Sequence, residues 1–181
     1  MSFIILDRDG VINHNSDQYI KSPDEWIAIP GSLEAIAQLN RTGFRVIIAT
    51  NQSGVARGYY DMAVLDTIHE KMISELAAVG GYIEEIFFCP HHPEEHCLCR
   101  KPKPGLFQQI QRKYPVCLAD TLFVGDSYSD VQTAFAAGCK PVLVLTGNGQ
   151  RDVKRYAELQ GVPQYKDLAH AVESITAYAQ D

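Results

Sequence analysis

Five short apolar runs, at residues 3–6, 44–49, 83–88, 121–124 and 141–145, are separated, mostly, by segments whose apolar residues recur at helical spacing. Few folds accommodate that order. Strands that alternate with crossover helices form a parallel sheet with helices on its faces, and strands covered on both faces read as near-continuous apolar runs. The expectation is an α/β fold, a three-layer, doubly wound parallel sheet with right-handed crossovers. No internal repeat or Pro/Ser-rich linker interrupts the pattern, and 181 residues suffice for one core, so residues 1–181 are read as a single domain.

The intervening stripes fill in the helices. Leu33, Ile36, Ala37 and Asn40 mark the first, with Ser32 as its N-cap and Gly43 just past its end. Leu65, Ile68, Met72 and Leu76 mark a second, ended by Gly80-Gly81; Pro104 opens a third carrying Leu106, Phe107 and Ile110. Val131, Ala134 and Phe135 belong to a fourth that stops near Gly138, and Leu168, Ala171, Val172 and Ile175 lie on one face of the last. These stripes are core-facing and are assigned no chemistry.

Net charge and composition exclude several classes. A formal charge of −6 argues against nucleic-acid binding, which needs a basic face. The longest apolar runs are strand-sized, so neither a membrane span nor an export signal is indicated, and a cytoplasmic location follows by default. Of five cysteines, Cys89, Cys97 and Cys99 crowd together, which suits metal binding in a reducing compartment better than a disulfide framework. Cys117 and Cys139 stand apart and read as core thiols.

Chemistry concentrates where the strands end. The first run delivers Asp7 and Asp9, one residue apart, to the carboxyl edge of the sheet, where open α/β sheets bind ligands. Two anions that close need a cation or a shared proton, although Asp-Gly also serves ordinary turns. The second run ends in Thr50-Asn51-Gln52-Ser53-Gly54, side-chain and backbone donors for an oxyanion or simply a polar loop. After the third come Arg100, Lys101 and Lys103, and after the fourth come Asp126 and Asp130, the latter also a plausible helix-start acid. In a doubly wound sheet these loops share one edge. Two Asp groups there suit Mg²⁺ bridged to a phosphate, and Lys and Thr suit the remaining phosphoryl oxygens. Three thiolates and one imidazole at paired spacing, Cys89, His91, Cys97 and Cys99, suit closed tetrahedral Zn²⁺ in a loop at 89–99. His92 and His96 are spare candidates on spacing alone, and a set of free surface thiols is the alternative.

The segments DRDG at 7–10, TNQSG at 50–54, RKPKPG at 100–105 and VGDSYSD at 124–130 resemble, in order and over about two-thirds of the chain, the four motifs of the haloacid dehalogenase-like (HAD) phosphohydrolases. The resemblance implies a Rossmann-like HAD core in which Asp7 is the nucleophile that forms an aspartyl-phosphate and Asp9 is the general acid and base. It further implies that Thr50 and Lys101 hold the phosphoryl group. Mg²⁺ would sit on Asp7, the Asp9 carbonyl and Asp126, with Asp130 behind them. Within that family, TNQSGVARG, CPHHP, CxCRKPxPG and the absence of a long cap insertion are similar to the heptose 1,7-bisphosphate 7-phosphatases that supply lipopolysaccharide precursors. The histidinol-phosphate phosphatases, which share the cysteine loop, are the alternative. The resemblance selects His91 as the zinc ligand. It places substrate recognition on the 14–19 loop, with Asp17 and Tyr19, on Asn51, Gln52 and Ser53, and on Arg57 and Arg100, which would meet a second phosphate. One position departs: Ser127 stands where members often carry Lys. The implied protein is a monomer acting on a small anionic sugar phosphate. A phospho-acceptor signalling module would keep its acidic pair and its acceptor on separate strands, and a zinc-dependent binding module would not need the full set of carboxylates.

Overall fold

A computed structural model describes residues 2–177. Six parallel strands form one sheet in the order β3-β2-β1-β4-β5-β6: β1 Ser2–Leu6, β2 Phe44–Asn51, β3 Glu85–Cys89, β4 Leu122–Gly125, β5 Lys140–Val144 and β6 Gln164–Tyr165. The helices are α1 Ser32–Arg41, α2 Met62–Ala78, α3 Gly105–Lys113, α4 Tyr128–Ala137, α5 Gly149–Arg155 and α6 Leu168–Ala177. The doubly wound, three-layer expectation holds. Among the described residues, no helix is long and apolar enough to cross a membrane.

Side-chain alternation along the strands divides the core into layers. Ile4, Leu6, Val46, Ile48, Val124, Val142 and Val144 pack with α1, α2 and α6, whereas Phe3, Ile5, Ile47, Ala49 and Phe123 pack with α3 and α4. Most of these strand residues are fully buried. At roughly 1.5–3 kcal/mol for each large apolar side chain, two such layers are the main drive to fold. Register then fixes the site. Leu6 pairs with Ile48 on one side and Val124 on the other, so the chains that leave β1, β2 and β4 emerge side by side. The strand order reverses between β1 and β4, the crevice where such sheets bind ligands.

Several local expectations are corrected. Ser32 is not the N-cap of α1; Gly31 is, and the Ser32 hydroxyl donates to the Ile12 carbonyl at 2.6 Å. Pro104 caps α3 rather than opening it. Phe135 points to solvent at 65% exposure, because α4 rests on the sheet through Val131 and Ala134. Cys117 is exposed rather than a core thiol. Both β6 and α5 went unforeseen, being too short for a period to register.

Candidate active site

The carboxyl edge opens into a cleft of about 350 Å³. Its centre is Lys101, whose Nζ lies 2.9 Å from Asp7 Oδ2 and 2.7 Å from Asp130 Oδ1. Each carboxylate is held from a different side. Asp7 Oδ1 accepts from the Arg8 backbone N–H at 2.7 Å. Asp126 Oδ2 accepts from the backbone and side-chain nitrogens of Asn148, at 2.8 and 3.2 Å. Asp130 is the N3 residue of a capping box at the start of α4, its Oδ2 accepting from the backbone N–H groups of Asp126 and Ser127 and from the Ser127 hydroxyl. Asp130 thus accepts three bonds on Oδ2 and one on Oδ1, and it holds the Asp126 backbone and Lys101 in place.

Two glycines make room for this arrangement. A Cβ on Gly10 or on Gly147 would come within 2.1 Å of Asp126 Oδ2, and both residues have positive φ. The result is a crowded anionic pocket. Oxygens of Asp7, Asp126 and Asp130 lie within 4.8 Å of one another, faced by the one ammonium of Lys101. Burial, together with repulsion from Asp130 and despite Lys101, lifts the Asp7 carboxyl to about 7. Burial, together with repulsion from Asp130 and Asp7, lifts Asp126 well above the ordinary carboxylate range. An all-oxygen donor set with surplus negative charge is the chemistry of a hard divalent cation.

Asp9 is treated differently. Burial pushes its pKa up, but Arg8, Asn13 and Gln52 together outweigh burial and hold it below the ordinary value. Thr50 is buried, and its Oγ1 accepts from Gln52 Nε2 at 3.1 Å, which leaves the hydroxyl proton free to donate into the cleft.

The cleft gathers Asp7, Asp9, Tyr19, Thr50, Asn51, Gln52, Ser53, Arg57, Arg100, Lys101, Asp126 and Asp130. Asp17 is not among them; it lines a neighbouring depression with His14 and Arg151. Asn51 and Gln52 reach the cleft with their amides already engaged. Asn51 exchanges two 3.1 Å bonds with the Lys101 backbone, and Gln52 bonds Asp9, Arg8, Thr50 and Tyr60. Gln52 Nε2 thus spends both hydrogens on Asp9 and Thr50, whereas Asn51 Nδ2 keeps one hydrogen for a ligand. Arg100 Nη1 is buried without a partner, a donor left over for an anion. The Arg57 guanidinium lies over the Tyr19 ring at 5.8 Å, and Tyr19 packs on Tyr59. Sequence reasoning missed Asn148, which follows β5, and buried Arg8 and His69; the first had a strand-end position as its signal, and the others had none.

Beside the cleft, one nitrogen of His91 and the sulfurs of Cys89, Cys97 and Cys99 lie within 4.8 Å of one another. Cys97 Sγ is 3.5 Å from Cys89 Sγ and 3.7 Å from Cys99 Sγ. Tetrahedral zinc with Zn–S bonds of about 2.3 Å requires sulfur separations of about 3.7 Å. The facing nitrogen is His91 Nδ1, at 3.4 Å from Cys89 and 3.2 Å from Cys99.

The profile of the HAD-hydrolase-like family matches residues 98–171. The sequence is 51% identical to the D-glycero-beta-D-manno-heptose-1,7-bisphosphate 7-phosphatase of Bordetella bronchiseptica, over 97% of this chain and 98% of that one. It is 49% identical to the Pseudomonas putida enzyme of the same name, over 93% and 96%. Among solved structures, the B. bronchiseptica D,D-heptose 1,7-bisphosphate phosphatase complexed with magnesium and phosphate superposes with a TM-score of 0.95 at 50% identity, covering 98% of this chain and 99% of that chain. The Burkholderia thailandensis D,D-heptose 1,7-bisphosphate phosphatase gives 0.76 at 40% identity, covering 97% and 98%.

Proposed function

The chain belongs to the HAD-like D-glycero-beta-D-manno-heptose-1,7-bisphosphate 7-phosphatases, and from that premise we propose that it removes the 7-phosphate of D-glycero-D-manno-heptose 1,7-bisphosphate by way of a phosphorylated Asp7. The observation that carries the reading is the convergence of Asp7 and Asp126, from the ends of β1 and β4, around Lys101.

Asp7 attacks phosphorus through a carboxylate oxygen while the bond to the sugar O7 breaks and Asp9, ionised in the free cleft and protonated as the anionic phosphate group enters beside it, supplies that oxygen with a proton. Asp9, now ionised, then takes a proton from water, which attacks the aspartyl-phosphate and releases inorganic phosphate. Throughout, Lys101 Nζ and the free Thr50 hydroxyl face the phosphoryl oxygens, so the developing charge meets fixed donors. Asp7, the Asp9 carbonyl and Asp126 are suited to hold Mg²⁺, which when bound neutralises phosphoryl charge. Arg100, with its unpartnered nitrogen, and Arg57 supply positive charge for the second phosphate of the bisphosphate. Histidinol phosphate carries no such group, and this is why it is the poorer fit.

Cys89, His91, Cys97 and Cys99 are a closed set of four ligands for structural Zn²⁺ that orders residues 89–99 ahead of Lys101. A thiolate site of this kind belongs in a reducing compartment such as the cytoplasm. The protein acts as a single-domain monomer with an open cleft. The test is Mg²⁺-dependent phosphate release: kcat/KM on the heptose bisphosphate should exceed that on histidinol phosphate by about tenfold or more, the worth of one good charged contact. The folded Asp7→Asn variant should release none. The reverse preference overturns the substrate, and release by Asp7→Asn overturns the nucleophile.

A further inference from the structure

Arg8 sits between two aspartates of the cleft, yet its own side chain is fully buried and turned away from the cleft. Its guanidinium reaches Asp9 through Nε at 3.0 Å and Nη2 at 2.9 Å, Gln52 Oε1 through Nη2 at 3.2 Å, and His69 Nε2 through Nη1 at 3.1 Å. A guanidinium can only donate, so His69 Nε2 is an acceptor and the imidazole is neutral with its proton on Nδ1. Burial and the adjacent Arg8 charge push His69 down to about 3, in keeping with that form. Gln52 is fixed from the other side. Its Oε1 also accepts from the Tyr60 hydroxyl at 2.7 Å, and this sets the amide so that Nε2 faces Asp9 Oδ2 at 2.9 Å.

We propose that His69, on α2, and Tyr60, just before it, are positioning residues for the general acid and base, acting on Asp9 through Arg8 and Gln52. The proposal rests on the role of Asp9 given above. The argument is geometric. Asp9 retains some exposure to the cleft, and its two oxygens are held by Arg8, Gln52 and Asn13. Those holders are rigid only if their own far ends are tied. Arg8 ends on His69, and Gln52 ends on Tyr60. A helix on one face of the sheet thus fixes a carboxylate at the sheet's edge.

A misplaced general acid matters most when the leaving oxygen is strongly basic. The test therefore compares kcat/KM, which reports transfer to Asp7, on heptose 1,7-bisphosphate and on p-nitrophenyl phosphate, whose leaving phenolate needs little protonation. His69→Leu should lose about tenfold on the sugar phosphate, part of the roughly 10²–10⁴ that general acid catalysis contributes, and much less on the aryl phosphate. His69→Gln keeps an acceptor near the Nε2 position and should recover most of the loss. Tyr60→Phe keeps the ring and should give a smaller defect with the same dependence on leaving group, which tests the idea even if His69→Leu does not fold. Equal losses on both substrates in His69→Leu or Tyr60→Phe, beside an Asp9→Asn control that does discriminate, overturn the positioning role alone. An Asp9→Asn control with equal losses overturns the assignment of Asp9 and this proposal with it.

Discussion

At the scale of single residues, the site is a balance of charges that the fold opposes and a cation relieves. Asp7 makes this measurable. Its carboxyl has a folded pKa of about 7 against an ordinary 3.8, so between those values the folded protein keeps a proton that the unfolded chain has lost. Stability from this group is therefore undiminished below about pH 4 and falls as the pH rises toward 7. Asp7→Asn removes the titrating group. In metal-free protein the variant should melt close to the wild type at pH 4 and several degrees higher at pH 8; a difference independent of pH contradicts the assignment. Asp7, Asp9 and Asp126 were legible in the sequence because each closely follows an apolar run, and Lys101 because it stands in a cluster of basic residues behind the cysteine loop, so that together they point to one sheet edge. Arg8 and His69 were not. A buried cation and a neutral buried histidine look, in one dimension, like any polar residue in a turn or on a helix, and only the closed geometry gives them partners.

At the scale of elements, the loop at 89–99 contributes little core of its own apart from buried Cys89. What it does is lead into Lys101, whose backbone is clamped by Asn51 at the end of β2. Zinc binding by such ligand sets is worth about 10–16 kcal/mol at neutral pH, more than a short loop can gain by packing. Purified protein should therefore carry close to one zinc per chain. Chelation should remove amide-exchange protection across 89–101 and lower kcat/KM by about tenfold, the lower end of what loss of support around a metal site costs. Unchanged exchange and activity after the metal is removed would discard the structural-metal role. The cysteine spacing made this element legible, whereas β6 and α5 were missed because two and seven residues are too few to display a period.

At the scale of the whole molecule, the alternation of apolar runs and amphipathic stripes prescribed a parallel sheet, but not which strands are neighbours. Strand order is set by packing among elements distant in sequence, and only with β1 placed between β2 and β4 do Asp7 and Asp126 share a crevice. The two layers of apolar packing hold that edge together against the repulsion of its own acids, so ligands that cancel the repulsion should stabilise the entire cooperative unit rather than a loop. Mg²⁺ with inorganic phosphate, each at about 100 times its dissociation constant, should add about 2.7 kcal/mol or more of stability. For a chain of this length that corresponds to a rise of roughly 5–10 °C in Tm. The rise should be larger at pH 8 than at pH 5, because Asp7 and Asp126 must be deprotonated to hold the cation and their folded pKa values are raised. A stabilisation that grows as the pH falls would mean that the cation binds somewhere other than between β1 and β4.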